Sequence, residues 1–480
     1  GERRLKFGYR PEIDGLRTLA VMLVILHHLG LNALSGGYVG VDVFFVISGY
    51  LITGILYSDI QNGSFSISRF YKRRVIRLAP AYFLVLFTTS LAALIFMLPA
   101  ELLNYFKSVI YSTFFAANFF MWQEVGGYFG GNSDVVPLLH LWSLGVEEQF
   151  YIFWPFIFLG IYKIFGKRHL LLLASLGIIL GVWVSEYGVQ HYRAASYYLL
   201  PTRFFELMLG SLLVFVPRSK LSATLVGDLL GAIGFGLIIY SAFTFSTDSF
   251  FPGYLALVPT IGTALIIQFV RGGRGVLGRA LSLAPIVYLG RISYPAYLWH
   301  WPIIAYLNIN LININYLLGA AVLVLTLILS AATFQFVELP FRRINRRPAG
   351  FVVSVGYAAP AIVALALSGI AIANTGFPGR FPPALNLMSE AILSKSSQVR
   401  GRCNEGVVLA PLSEDKCILG VSDRPVDFLI VGDSHANHFT GMIDVMARQA
   451  NLRGYDVTQS NTIFLPSEYK RFYYQDGILV

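Results

Sequence analysis

Residues 14–31 read DGLRTLAVMLVILHHLGL. At 1.5 Å per residue, an apolar run of this length covers most of a ~30 Å hydrocarbon layer. Yet it contains Arg17, His27 and His28. Ionisable groups are costly inside a span and mark functional positions by default. Arg17 and His28 are eleven residues apart, so at about 100° per residue they fall within roughly 20° of one another and about 16 Å apart along the axis. Asp14 lies near the same face, and His27 points elsewhere. The spacing places a cation at one mouth of the span and an imidazole partway through it. A neutral imidazole there can take a proton from a hydroxyl as a general base. Inert packing is the alternative, and the aligned Arg17 favours the functional one.

The rest of the chain agrees with a membrane reading. Hydrophobic residues make up 56% and charged residues 13%, against about 25% charged in a soluble domain. Eleven stretches are long enough, or nearly so, to span: roughly 17–35, 39–57, 79–98, 138–162, 169–185, 203–217, 225–243, 254–270, 286–306, 316–337 and 351–373. The apolar segment 107–122 reads as a re-entrant or interfacial helix. With the N-terminus inside, the cytoplasmic segments hold 22 lysines and arginines, and the outer loops hold only Lys107 and Arg193. That asymmetry is a strong positive-inside signal, and it accounts for the +10 net charge without nucleic acid. The chain starts at Gly1 without Met and is expected to be trimmed there.

Residues 374–480 then lie outside the cytoplasm. NTGFPGRFPPALNL reads as a linker, opening a 374–424 extension that holds the only two cysteines, Cys403 and Cys417. On an oxidising side a disulfide is expected, worth about 3 kcal/mol in the chain-entropy model; two unpaired thiols are the alternative. No metal site is expected, because two cysteines without a nearby His make a poor ligand set. Beyond the linker, VDFLIVG reads as a buried strand, HANHFTGMIDVMARQA as a helix and YDVTQS as a strand. This β-α-β pattern opens an α/β domain over 425–480. Between strand and helix stand Asp433 and Ser434, the way a serine nucleophile is often presented.

Other polar residues need partners. RFYKRRVIRLAP reads as a cytoplasmic loop with Arg69, Lys72, Arg73, Arg74 and Arg77 within nine residues. It suits membrane anchoring or a phosphate clamp, since the Arg fork matches phosphate geometry. In LLHLWSLGVEEQFYIFWP, Glu147 falls on the face of His140, and Glu147 and Glu148 are expected to pair with arginines of the bundle. His300 sits between Trp299 and Trp301, where an interfacial aromatic belt is the plain expectation. Glu338 is expected to pair with Arg342 at i+4.

Taken together, YRPEIDGLRTLAVMLVILHH, GGYVGVDVFFVISGYLI, RFYKRRVIRLAPAY, LWSLGVEEQFY and ISYPAYLWHWP resemble the membrane acyltransferase-three family, in the branch fused to a C-terminal SGNH domain. Each motif alone is modest; five in family order are specific. The resemblance implies a helical bundle of ten or eleven spans over 1–373, followed by an extracytoplasmic SGNH-like domain. It implies an inner-membrane O-acetyltransferase that moves acetyl from cytoplasmic acetyl-CoA to a surface carbohydrate, with lipopolysaccharide O-antigen as the leading acceptor and no permanently bound cofactor. It implies that His28 and Ser434 are catalytic and that Arg17, Arg74 and Arg77 bind acyl-CoA. Asp14, Asp42, Glu147, Glu148, His300, Glu338 and Asp433 are the supporting set.

The tail departs from the family. SGNH enzymes use an Asp and a His in a D-x-x-H arrangement, but His435 and His438 are the only histidines after Ser434. None of Asp444, Asp456 or Asp476 precedes a His by three, and Asn461 is a weak oxyanion candidate. The partners of Ser434 are therefore expected beyond Val480. Two other classes compete: a transporter or flippase of an acylated glycan or lipid, and a polysaccharide acetyl-esterase.

Overall fold

The computed structural model describes residues 8–126, 133–217, 222, 224–383, 385–386, 417–432, 434–437, 439–458, 462–464, 471–475 and 478–479. The chain divides into two compact units, Gly1–Pro378 and Gly379–Val480.

The first unit is helical. In order, it runs α1 Pro11–His28, α2 Gly40–Gln61, α3 Ile67–Phe96, α4 Pro99–Thr113, α5 Ala117–Glu124, α6 Leu141–Phe165, α7 Leu170–His191, α8 Arg193–Tyr198 and α9 Leu200–Phe215. Then follow α10 Leu225–Thr244, α11 Leu257–Phe269, α12 Gly275–Leu281, α13 Ala284–Arg291, α14 Ser293–Ile309, α15 Tyr316–Thr333, α16 Leu339–Phe341, α17 Ala349–Val353 and α18 Ala359–Ala373. Two π-helical turns, Phe334–Glu338 and Ser354–Ala358, join α15 to α16 and α17 to α18. Such turns shift the side-chain register of a helix and recur at functional sites.

Among the described residues, seven stretches are long and apolar enough to cross a membrane: Gly37–Gln61, Ile67–Phe96, Leu170–His191, Arg193–Phe215, Leu225–Thr244, Tyr316–Arg346 and Ala349–Ala373. This is a multi-pass membrane protein. The four other expected spans are helices of a different kind. α11 has only 13 residues, and 286–306 breaks at Ile292 into α13 and α14. α1 and α6 carry Arg17, His28, Glu147 and Glu148. The expected 107–122 helix is two helices, α4 and α5, broken at Phe115, whose φ of 57° no helix continues through.

The polar helices sit inside the apolar ones. In α14, Ser293 and the run Pro295–Pro302 are buried, whereas the apolar window of Leu170–His191 is only 22% buried. Burial against protein is what lets α1, α6 and α14 carry ionisable groups. Close crossings hold the bundle together. A Cβ on Gly49 would sit 1.8 Å from the Leu207 carbonyl oxygen, and one on Gly210 would sit 1.9 Å from that of Val46. The α2–α9 crossing therefore depends on two glycines, the small-residue packing usual between membrane helices.

The second unit carries a small sheet. β1 Ile418–Gly420 pairs antiparallel with β3 Arg453–Thr458, which pairs parallel with β2 Phe428–Gly432. α19 Ser434–Asn437 and α20 Thr440–Gln449 connect β2 to β3. This is the β-α-β unit that the alternation of apolar strand and amphipathic helix predicts. β4 Thr462–Phe464, β5 Arg471–Gln475 and β6 Ile478–Leu479 form an antiparallel ladder. Cys417 is disulfide-bonded; Cys403, the other cysteine of the chain, lies outside the described residues, as does much of the 374–424 extension.

Candidate functional site

The basic cluster is helical, not a loop. Ser66 caps α3, accepting from the Arg69 amide at 3.4 Å, so Arg69–Arg77 occupy the first three turns. The helical period then sorts the cations. Arg69 donates to the Ser64 carbonyl, Lys72 to that of Asn345 at 2.6 Å, and Arg73 pairs with Asp59 at 2.6 Å. Arg74 and Arg77, three apart, turn inward. Arg74 lies 5.9 Å over both Phe70 and Tyr151, and its buried Nε has no partner among the described residues.

Three cavities follow one another through the bundle. The first, of about 660 Å³, is lined by Arg17, Arg73, Arg77, Arg291 and Arg342 with Asp14 and Glu338. Asp14 accepts from the Tyr9 hydroxyl at 2.8 Å and lies 3.5 Å from Arg17. Glu338, on the π-helical turn, lies 3.7 Å from Arg342, the i+4 pairing, while its buried Oε1 has no partner among the described residues. The second cavity, a waist of about 80 Å³, is the smallest of the three; it shares Arg17, Arg77 and Tyr294 with the first and adds Arg74, Glu147 and Tyr151. The third, of about 540 Å³, shares Val41 and Tyr297 with the waist and is lined by His27, His28 and His140.

Glu147 and Glu148 make no ion pair among the described residues. Glu147 instead accepts from the Tyr151 hydroxyl at 2.7 Å. Glu148 lines an apolar side cavity of about 220 Å³ together with Arg74. Arg17 and Arg77 border the same waist as Glu147 but do not reach it. His140 stands at the N-terminal cap of α6, one residue before the helix, and it and Glu147 line two different cavities.

His28 is the last residue of α1 and lines the third cavity from that helix end. Its Nδ1 lies 3.0 Å from Nε2 of His300, with the rings stacked 5.2 Å apart at 9°. Trp301 packs edge-on to His28 at 4.6 Å. His300 is fully buried and belongs to this cluster, not to an interfacial belt; α14 turns it inward between α1 and α6. The tautomers follow from the acceptors. His300 Nδ1 lies 2.6 Å from the Tyr297 carbonyl oxygen, which can only accept, so the proton is on Nδ1 and neutral His300 offers its Nε2 lone pair. His28 must then donate from Nδ1, which leaves the His28 Nε2 lone pair free. That is the tautomer a general base needs.

Beside the third cavity lies a buried ionic triad. Arg203 Nη1 pairs with Asp42 at 2.9 Å and with Glu206 at 3.1 Å, all three side chains being about 1% exposed or less. Arg203 Nε donates to the Tyr197 carbonyl. Its guanidinium packs over Trp142, Tyr197 and Phe251 at 5.4, 5.0 and 5.0 Å. Sequence reasoning singled out Asp42 but missed Arg203 and Glu206. The signal available was an i,i+3 pair of opposite charges entering an apolar span.

In the second unit, Ser434 is the first residue of α19, directly after β2. Asp433, His438, Asn461 and Asp476 lie outside the described residues. Asp444 accepts from the Gly420 amide and Arg448, and Asp456 binds Thr458 and Asn437. Both carboxylates hold the sheet to its helices.

Residues 10–335 match the model of an acyltransferase domain. The chain belongs to this acyltransferase family. Residues 402–476 match the SGNH domain that occurs fused to such acyltransferases. Among curated relatives of this acyltransferase chain is the peptidoglycan O-acetyltransferase OatA of Listeria monocytogenes, 34% identical over 350 residues. That alignment covers 70% of this chain and 56% of the relative. The O-acetyltransferase OatA of Staphylococcus aureus is 31% identical over 350 residues, 70% of this chain and 57% of its own. The chain thus spans little more than half the length of these relatives. No solved structure matches it.

Proposed function

We propose that this chain is an O-acetyltransferase of the bacterial cytoplasmic (inner) membrane, with its N-terminus inside and its C-terminal unit outside. It draws acetyl from cytoplasmic acetyl-CoA and delivers it to hydroxyls of a cell-envelope polysaccharide. The observation that carries this reading is the run of three cavities joining an arginine-lined mouth to the free lone pair of His28. Five arginines against two carboxylates suit the phosphates of CoA. The thin, extended pantetheine arm runs along the waist, past Arg74, Arg77 and Tyr294. At the far end the acceptor hydroxyl gives its proton to His28 Nε2 as its oxygen bonds to the acetyl carbon. The C–S bond breaks, and the departing thiolate takes up a proton.

For the acceptor, lipopolysaccharide O-antigen and peptidoglycan both offer sugar hydroxyls. The activity named for the Listeria relative favours peptidoglycan. In the outer unit Ser434 is the second station, receiving the acetyl as an acyl-serine ester before its final transfer. The test is His28→Ala with acetylation of the surface glycan measured by mass spectrometry; near-normal acetylation would sink the reading. Binding of acetyl-CoA to purified protein separates it from the transporter and esterase readings, neither of which has a use for CoA.

A further inference from the structure

Beside the waist lies the apolar side cavity of about 220 Å³, which the transfer proposed above leaves unused. Arg74, Leu78, Leu144, Tyr151 and Tyr294 line both spaces and form the partition between them. α3 supplies much of the wall, and the π-helical turn Ser354–Ala358 brings in Tyr357. Five tyrosines line the cavity, yet their hydroxyls are committed to the protein. Tyr71 donates to the Ile152 carbonyl at 2.7 Å, Tyr82 to that of Ser112 at 2.7 Å, Tyr294 to that of Leu78 at 3.1 Å, and Tyr357 to that of Thr113. Tyr151 donates to Glu147 at 2.7 Å. What these residues offer an occupant is ring carbon.

Two polar groups remain, and they are of opposite charge. Glu148 is buried and makes neither an ion pair nor a hydrogen bond among the described residues. Arg74 lies over the Phe70 and Tyr151 rings, its Nε buried and without a partner among the described residues. An anionic head would meet Glu148, and a cationic one would meet Arg74. A neutral head that both donates and accepts, such as a hydroxyl, suits the pair. The rest of the wall asks for hydrocarbon, because water there lacks the roughly 2–4 polar partners it needs. An apolar cavity of ~150 Å³ holds benzene, so the volume of about 220 Å³ admits a chain of roughly eight carbons. The bilayer is the source of such a chain. Ile152 and Val353 line the cavity, while Phe153 on α6 and Phe351 on α17, close by in each helix, are exposed on the outside of the bundle.

We propose that this cavity binds a neutral amphiphile drawn from the bilayer: a single chain of roughly eight carbons lies along the tyrosine rings, and its hydroxyl bridges Glu148 and Arg74. The occupant closes the flank of the waist behind the Arg74, Tyr151 and Tyr294 partition and leaves the waist itself open. The site rests on no reading of the acyl donor or of its acceptor.

The test is photolabelling of the full chain in lipid nanodiscs, without acetyl-CoA, by an octanol that carries a diazirine, with labelled residues mapped by mass spectrometry. Label is expected on Tyr82 and Leu144, which line the cavity and are only 6% and 8% exposed, so contact with bulk lipid does not account for it. An excess of 1-octanol should lower that label at least about tenfold, and the same excess of octanoate should not. Ala79→Phe and Val353→Phe fill the cavity from two different helices, and each should abolish label on Tyr82 and Leu144. Label on Ile179, 67% exposed on α7, should stay, and the melting temperature should remain near that of the unmodified protein; if one filling unfolds the chain, the other decides. No label on Tyr82 and Leu144, label there that survives filling, or displacement by octanoate as effective as by 1-octanol overturns the site.

Discussion

Replacing His300 with Phe keeps a flat ring against His28, where the stacking is 5.2 Å at 9°. It removes the Nε2 atom that accepts from His28 Nδ1 at 3.0 Å. His28 then holds a buried donor without an acceptor, a cost of ~1–3 kcal/mol, and its two tautomers compete. At ~1.4 kcal/mol per factor of ten, kcat for acetyl transfer should fall roughly 10- to 100-fold. Removing the base itself in His28→Ala should cost about 10²–10⁴-fold. The KM for acetyl-CoA should not move, because His300 lines neither the mouth nor the waist. A conservative rescue separates positioning from packing: the amide oxygen of His300→Gln can accept from His28 Nδ1, so this variant should outperform His300→Phe. The assay is acetyl transfer to isolated glycan by purified protein in nanodiscs, with kcat and KM resolved. Full activity in His300→Phe, or no advantage of Gln over Phe, would refute the tautomer argument.

Arg74→Lys and Arg77→Lys should each weaken acetyl-CoA binding by roughly 10- to 100-fold, the worth of a lost charge-assisted hydrogen bond of ~1.5–3 kcal/mol; Arg69→Lys, turned away on the same helix, should leave calorimetric affinity unchanged. Arg203→Met should lower thermal stability by about 3–5 kcal/mol, because Asp42 and Glu206 lose the one cation that pairs with them among the described residues. Adding Asp42→Asn and Glu206→Gln should recover part of that loss in the same melting experiment; no recovery would mean that charge is not the cause. Gly49→Ala should destabilise by about 1–3 kcal/mol through overpacking at the Leu207 carbonyl, whereas Gly160→Ala, with open space around it, should not; equal melting temperatures would count against a glycine-dependent crossing.

How much of this was legible in the sequence depends on range. Arg17 and His28 belong to one helix, α1, and for residues of one helix the 3.6-residue period is enough to relate their positions. The inward turn of Arg74 and Arg77 needed one further fact, that RFYKRRVIRL is a helix; read as a loop, its five cations are equivalent. Partners on other helices were not legible. Nothing local says that His300, flanked by two tryptophans, meets His28, or that Glu147 is satisfied by Tyr151 and not by an arginine. Asp42 and the Arg203–Glu206 pair each signal an unmet charge inside a span, yet 161 residues separate Asp42 from Arg203. Span counting is least direct for a related reason. Hydropathy recognises helices that face lipid, whereas α1 and α14 are largely buried and α6 buries its first half and exposes Phe153, Phe156 and Ile164 beyond it, so the stretches that carry the site are those hydropathy describes least well.

The same distribution of space bears on the rival transporter reading. Moving a glycan or lipid requires a passage that admits the whole cargo from alternating sides. Here two large cavities, of about 660 and 540 Å³, meet through a waist of about 80 Å³. The waist is built from buried, mutually bonded groups. Tyr151 holds Glu147 and Ser48, and Tyr297 bonds both Ser143 and the His140 carbonyl. Parting these residues would strand buried carboxylate and hydroxyl groups, each at ~1–3 kcal/mol. An extended arm bearing a two-carbon acyl group asks for less widening than a pyranose does. The cavities also differ in kind, one cationic and one aromatic, whereas a carrier presents its cargo with one site from either side. A narrow joint between two unlike sites fits the passing of a small group from one ligand to another, with each ligand staying on its own side.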